Sequence, residues 1–155
     1  MRQATLCFPI TDTHILLGYK KVGFGSELHN GFGGKVRKKE TVEEAVLREL
    51  FEEANLNAFP EHLHKRGTLQ FFFAGKPKFE VHIFMLQEWL GEPQESKEMN
   101  PEWHSRDALP YDSMWPADRE WLPLILEQDK KIKGKVFFDA TGKTVEEFEW
   151  VEITQ

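Results

Sequence analysis

Residues 30–56, NGFGGKVRKKETVEEAVLRELFEEANL, leave little freedom in what this chain can build. Gly31, Gly33 and Gly34 crowd one short loop, so the backbone there can approach a neighbour or a ligand with no Cβ in the way. A helical pattern follows from Thr41 to Ala54. Thr41 with Glu44 three residues on makes a capping box. Val46, Leu47, Leu50, Phe51 and Ala54 form an apolar stripe about 140° wide at 100° per residue. With Glu49 set at 0°, Glu52 falls near 300° and Glu53 near about 40°. The three carboxylates share a face about 100° wide beside the stripe. Glu49 and Glu53 are a like-charge pair at helical spacing, costing on the order of a few tenths of a kcal/mol. Glu52 and Glu53 also sit at the helix C-terminus, the wrong end for negative charge. Arg48, four residues before Glu52, offsets part of this.

A hard dication reverses the sign of the arrangement. Mg²⁺ or Mn²⁺ prefers oxygen ligands and bridges protein carboxylates to substrate phosphates. The glycines then bring backbone N–H and C=O groups to the ligand, and Lys35 adds a positive charge. The alternative is a solvated, glutamate-rich helix after a flexible loop. That suits any one of the glutamates, but not their combination with Arg48 and the glycine loop.

The rest of the chain frames this element. At 155 residues it suits one domain, spanning 1–155, with a real core. A net charge of −6 argues against a nucleic-acid groove, which needs a basic surface. Cys7 has no partner for an internal disulfide and reads as a small buried hydrophobe in a reducing compartment. No run approaches a membrane span and no signal-peptide pattern opens the chain, so the expectation is a cytoplasmic protein without a membrane partner. ATLCFPI and HILLGYK read as strands joined by the turn TDT. GTLQFFFAG and FEVHIFMLQEWL read as strands joined at GKPK, with GEPQESKEMNP a polar loop after them. PADREWLPLILEQ reads as a second helix with Pro123 inside it, and GKVFFDATG with TVEEFEWVEI as a closing hairpin. The order predicts an α/β or α+β layered fold, a mixed sheet with helices on its faces. His62 and His64 are placed to share a strand face, but no third ligand completes a zinc site. A surface or structural role suits the histidines better.

Gly34, Glu40, Arg48, Glu49, Leu50, Glu52, Glu53 and Leu56 match the box of the Nudix hydrolase family at every fixed spacing except one. Asn55 stands where the family has Gly, and Asn is the next-best residue for a left-handed helix cap. LLGYKKVGFG, VHIF, EMNPEW and DSMWPADREWLPLIL extend the resemblance to the MutT branch of that family over nearly the whole chain. The resemblance implies an α/β/α sandwich with a mixed sheet. It implies Mg²⁺-dependent hydrolysis of a nucleoside triphosphate, an oxidised or otherwise modified purine such as 8-oxo-dGTP, to monophosphate and pyrophosphate. It implies metal ligands at Glu49, Glu52, Glu53, the Gly33 carbonyl and Glu98. Glu53 is the first candidate for water activation, with Glu52 and Glu98 as rivals. Arg48 orients the glutamates, and Glu40 steadies the loop–helix junction.

The same resemblance places Thr5, Lys20, Phe24, Asn30, Phe32, Phe71, Phe73, Met99, Trp115 and Asp118 around the base, with Gly33, Gly34 and Lys35 on the substrate side. Trp115 offers a face for purine stacking, Asn30 can donate and accept, and Asp118, if protonated in a desolvated pocket, can do both. From the residues alone, Trp115 is equally a core or hinge aromatic before Pro116. The MutT-type relatives carry two adjacent acids after Trp-Pro, and here Ala117 replaces the first. Selectivity among modified purines is therefore expected to differ. The implied partner is a small-molecule nucleoside triphosphate, with no stable nucleic-acid partner and a monomeric state.

Overall fold

Runs of consecutive apolar residues need burial on both faces, and residues 7–9, 15–17 and 83–86 are buried throughout. The computed structural model describes residues 1–154. It places β1 (Arg2–Pro9) beside β5 (Lys76–Leu86) in a five-stranded sheet, with β4 (Leu63–Phe73), β7 (Ile132–Phe138) and β8 (Val145–Glu152) following in that order. The β1–β5 and β4–β7 pairs are parallel; β4–β5 and β7–β8 are antiparallel hairpins. The sheet is mixed, as the element order suggests.

A second, three-stranded antiparallel sheet has the order β3 (His29–Asn30), β2 (His14–Lys20), β6 (Met99–Ser105). Two expectations change here. TDT does turn the chain, with the bridge Ile10–Ile15 and the Thr11 N–H donating to the His14 carbonyl at 2.9 Å, but β1 and β2 go to different sheets. The segment read as a polar loop ends in β6, whose residues MNPEWHS carry no apolar alternation. Pro101 is tolerated because β6 is an edge strand. The β4–β5 turn sits at Ala74–Gly75, both with positive φ (52° and 77°), one step before GKPK.

Period-2 alternation sorts the strand residues to two cores. Cys7, Leu16, Phe84 and Leu86 face one cluster with Val46, Leu50 and Ala54 of α1 (Val42–Ala54). Phe8, Ile15, Leu17, Ile83 and Met85 face the other, with Trp121, Leu122 and Ile125 of α2 (Asp118–Leu126). The helices therefore cover opposite faces, an α/β/α sandwich. The buried Cys7 thiol is pushed well above the usual thiol range by desolvation. No helix of the described residues is long and apolar enough to cross a membrane.

Candidate active site

The start and end of α1 follow local chemistry. Thr41 accepts from the Glu44 N–H at 3.1 Å while the Glu44 carboxylate accepts from the Thr41 N–H at 2.8 Å. Asn55 closes the helix at φ 61°, and its N–H reaches back to the Leu50 and Phe51 carbonyls.

Rotation of the helix on the sheet was less predictable. Its buried residues are Ala45, Val46, Leu50, Glu53 and Ala54, while Phe51 is 53% exposed. The buried face is thus turned from the apolar stripe toward the acids, and Glu53 lies inside it. The side chains of Glu49 and Glu52 are 15% and 47% exposed, and Glu53 as a residue only 5%. Three carboxylates that look equivalent on a helical wheel have three different surroundings.

The glycine loop fixes what meets Glu53. Residues 32–36 run antiparallel to β1. Cys7 and Phe32 exchange both N–H···O bonds (2.6 and 2.9 Å), and Thr5 N–H donates to the Gly34 carbonyl at 2.9 Å. Gly33 lies between these bonds, so strand alternation turns its own N–H and C=O away from β1. Its N–H donates to Glu53 Oε1 at 2.9 Å, and its carbonyl, on the same edge, accepts no hydrogen bond from the described residues. A Cβ at Gly33 would overlap the Thr5 carbonyl oxygen, and one at Gly34 would sit 3.1 Å from the Glu49 carboxylate.

Arg48 ties the acids together. Its Nε and Nη2 grip both Glu40 oxygens at 2.6 and 3.0 Å, Nη1 donates to Glu49 and lies 3.4 Å from Glu52, and Nη2 also reaches the Lys35 carbonyl at 3.3 Å. Arg48 holds the Glu40 carboxyl down at about 2. The buried acids go the other way. Desolvation first, then the Glu49 charge, pushes Glu53 up to about 8; desolvation, against the pull of Arg48, also raises Glu49. The charge of Glu98 raises both and that of Lys20 lowers Glu53, so these residues from two other segments face the same spot.

A cavity of about 320 Å³ opens from Glu53. Thr5, Lys20, Phe24, Asn30, Gly33, Gly34 and Lys35 line it on the side of the loop and β1, with Phe71, Phe73, Met99, Trp115 and Asp118 beyond. Trp115 packs against Phe24 with ring centroids 5.2 Å apart. Asp118, 7% exposed, accepts from Trp121 Nε1–H at 3.1 Å and is pushed up to about 7 by burial.

Residues 1–125 match the NUDIX domain model. The chain belongs to the Nudix family. It is 44% identical to the oxidized purine nucleoside triphosphate hydrolase of Mus musculus over 130 residues, 83% of this chain and 82% of the mouse protein. The Danio rerio protein of the same name is 43% identical over 143 residues, 92% of this chain and 90% of that one. Among solved structures, a MutT protein of Bacillus halodurans superposes with a TM-score of 0.82 over 97% of both chains at 21% identity, which speaks to the fold alone.

Nudix hydrolases generally use a divalent metal, and the donor set here fits one. It is made of hard oxygens, burial raises the proton affinity of two of its carboxyls, and the loop beside them has no room for a Cβ. One residue expected around the base stands outside the cavity wall. Phe32 is fully buried in the α1-side core and does not line the cavity, because pairing with Cys7 turns its ring under the sheet. Leu6, Phe79, Val81, Ala117 and Phe138 line it instead. They come from strands and a helix start far apart in the chain, and no local spacing marks them. Nor do His62 and His64 share a strand face: His62 ends a short 3-10 turn, where its Nδ1 accepts from the Phe59 N–H at 3.2 Å.

The Arg48 network yields a stability prediction. Arg48→Lys keeps the charge but loses the two-pronged grip on Glu40, leaving mostly buried acids poorly paired. A loss of about 3 kcal/mol is expected, read as a lowered denaturant midpoint with an unchanged slope.

Proposed function

We propose that this chain is a Mg²⁺-dependent pyrophosphohydrolase that converts oxidised purine (deoxy)nucleoside triphosphates such as 8-oxo-dGTP to the monophosphate and pyrophosphate. One observation carries the reading: a single cavity has Trp115 and Asp118 in its walls and Glu53 at its foot. A base and its phosphates fit there together. The names of the mouse and zebrafish relatives support the substrate class.

Glu49, Glu52, Glu53, Glu98 and the Gly33 carbonyl would hold the ion, which would neutralise the polyphosphate and acidify water. Arg48 orients Glu49 and Glu52 by the bonds described. Glu53, held by the Gly33 N–H at 2.9 Å and ionised when the ion is bound, would take the proton of the attacking water. Lys20 and Lys35 meet phosphate oxygens. Trp115 stacks on the purine, and Asp118 pairs with its edge, its raised pKa letting it donate as well as accept. Residues 1–155 act as one unit, as a monomer, on the free nucleotide pool of the cytoplasm, with no nucleic-acid partner.

The test is pyrophosphate release with Mg²⁺ across oxidised, methylated and ordinary triphosphates. Preference for the oxidised purines is expected; equal cleavage of dGTP and 8-oxo-dGTP would sink the sanitising role. Trp115→Ala is expected to raise KM about 5- to 150-fold, since stacking on a base is worth about 1–3 kcal/mol. Ala117 is fully buried against the cavity, so Ala117→Asp is expected to change the ranking of the modified purines while leaving the hydrolytic residues in place. The ratio of kcat/KM values across the panel reads this.

A further inference from the structure

The three-stranded sheet carries a second group of ligand atoms. His29 of β3 and Glu102 and His104 of β6 each offer one, and all lie within 4.8 Å of one another. Their partners on β2 are Tyr19, Leu17 and Ile15, at every second position, so the three side chains share one face. His29 Nε2 is 2.9 Å from Glu102 Oε1, and His104 Nε2 is 3.4 Å from the same oxygen. The two rings meet edge to face with centroids 5.1 Å apart.

Hydrogen bonding shows what these atoms present. The Ser113 hydroxyl donates to the Pro110 carbonyl at 3.2 Å, so it accepts from His29 Nδ1–H at 2.9 Å. That leaves Nε2 of the neutral His29 ring as a lone pair aimed at a carboxylate oxygen. His104 Nε2 is buried and, at 3.4 Å from Glu102 Oε1, lacks the geometry of a hydrogen bond to it or to any other of the described residues. A proton on His29 would answer the first mismatch and leave the second. A cation between the three atoms answers both. With bonds of about 2.1 Å, the edge of a tetrahedral Zn²⁺ site is about 3.4 Å, the His104–Glu102 separation; the His29–Glu102 pair is closer, and all three atoms lie within 4.8 Å of one another. His29 already donates its other nitrogen to a hydroxyl, as metal-bound histidines do.

We propose that His29, Glu102 and His104 form a Zn²⁺ site separate from the Nudix carboxylates. Two imidazoles and one carboxylate suit Zn²⁺ and not Mg²⁺. Glu102 is 41% exposed, which leaves the remaining coordination position to water. His29 directly precedes Asn30, and Ser113 stands two residues before Trp115. A filled site would therefore tie together β3, β6 and the segment that carries the stacking residue. The inference does not rest on the substrate reading above.

The test titrates Zn²⁺ into the full chain in a large excess of Mg²⁺, which saturates the oxygen ligands, with heat of binding and melting temperature as readouts. Co²⁺ then reports geometry by its visible spectrum. One equivalent of Zn²⁺, a raised melting temperature and the intense bands of four-coordinate Co²⁺ are expected. Affinity should fall about a hundredfold in His104→Phe and Glu102→Gln, and about tenfold in Ser113→Ala. Glu102→Gln is half-exposed and guards against a folding defect in His104→Phe. The proposal is overturned if no Zn²⁺ binds in excess Mg²⁺, if more Mg²⁺ displaces it, or if folded His104→Phe and Glu102→Gln bind it as the natural chain does.

Discussion

Glu53→Gln is expected to lower kcat for pyrophosphate release by about 10²- to 10⁴-fold while leaving the chain folded. Gln keeps the oxygen that accepts from Gly33 N–H at 2.9 Å, so the loop stays where it is and only the ionisable oxygen is lost. A kcat within tenfold of the natural chain would remove Glu53 from the chemistry. The same variant has a signature with chelator present and no substrate. Folded Glu53 holds its proton up to about 8, whereas the unfolded chain releases it at the ordinary 4.5. Between those values the unfolded state binds fewer protons, so stability falls as pH rises through this window and the loss is complete above about pH 8. Asp118 adds a loss of the same sign between 3.8 and about 7. The metal-free natural chain should lose on the order of a few kcal/mol from pH 5 to 8. Glu53→Gln should flatten most of that slope and melt higher than the natural chain at pH 8. Divalent ions should restore the natural chain there and leave the variant nearly unmoved.

Gly33→Ala should damage both fold and activity. The added Cβ would overlap the Thr5 carbonyl oxygen, a backbone atom of β1 that no rotamer change can move. Parting the loop from β1 strains the neighbouring Cys7–Phe32 and Thr5–Gly34 bonds. A destabilisation of about 3 kcal/mol and a melting point lower by roughly 6–12 °C are expected. Hydrolysis should fall with it, since the Gly33 N–H and C=O shift away from Glu53. Gly34→Ala is the contrast: its Cβ would press only on the Glu49 carboxylate, at 3.1 Å. Side chains yield more easily than backbone, so this variant should fold normally and lose activity. Equal melting points for Gly33→Ala and the natural chain would refute the account of the loop.

Short-range chemistry was legible in the sequence. The capping box, the left-handed Asn55, the strands of continuous apolar residues and the placing of one helix on each face follow from neighbours a few positions apart. So does the gathering of Arg48, Glu49, Glu52 and Glu53 on one helix, since a turn of helix brings spacings of three and four together. Packing decided the rest. The helix settled with Glu53 buried and Phe51 exposed, against its own apolar stripe, because the glycine loop offers Glu53 an N–H at 2.9 Å and room that a larger residue would fill. Phe32 went to the core through strand alternation opposite Cys7. Edge strand β6, with Pro101 and no apolar alternation, became a strand only by pairing with β2. That pairing set His104 and Glu102 beside His29, 73 residues from Glu102 in the chain. A sequence records which groups can ionise and which helix face carries them. Their separation in space, and so their proton affinity and what they can bind, depends on contacts between segments that share no local pattern.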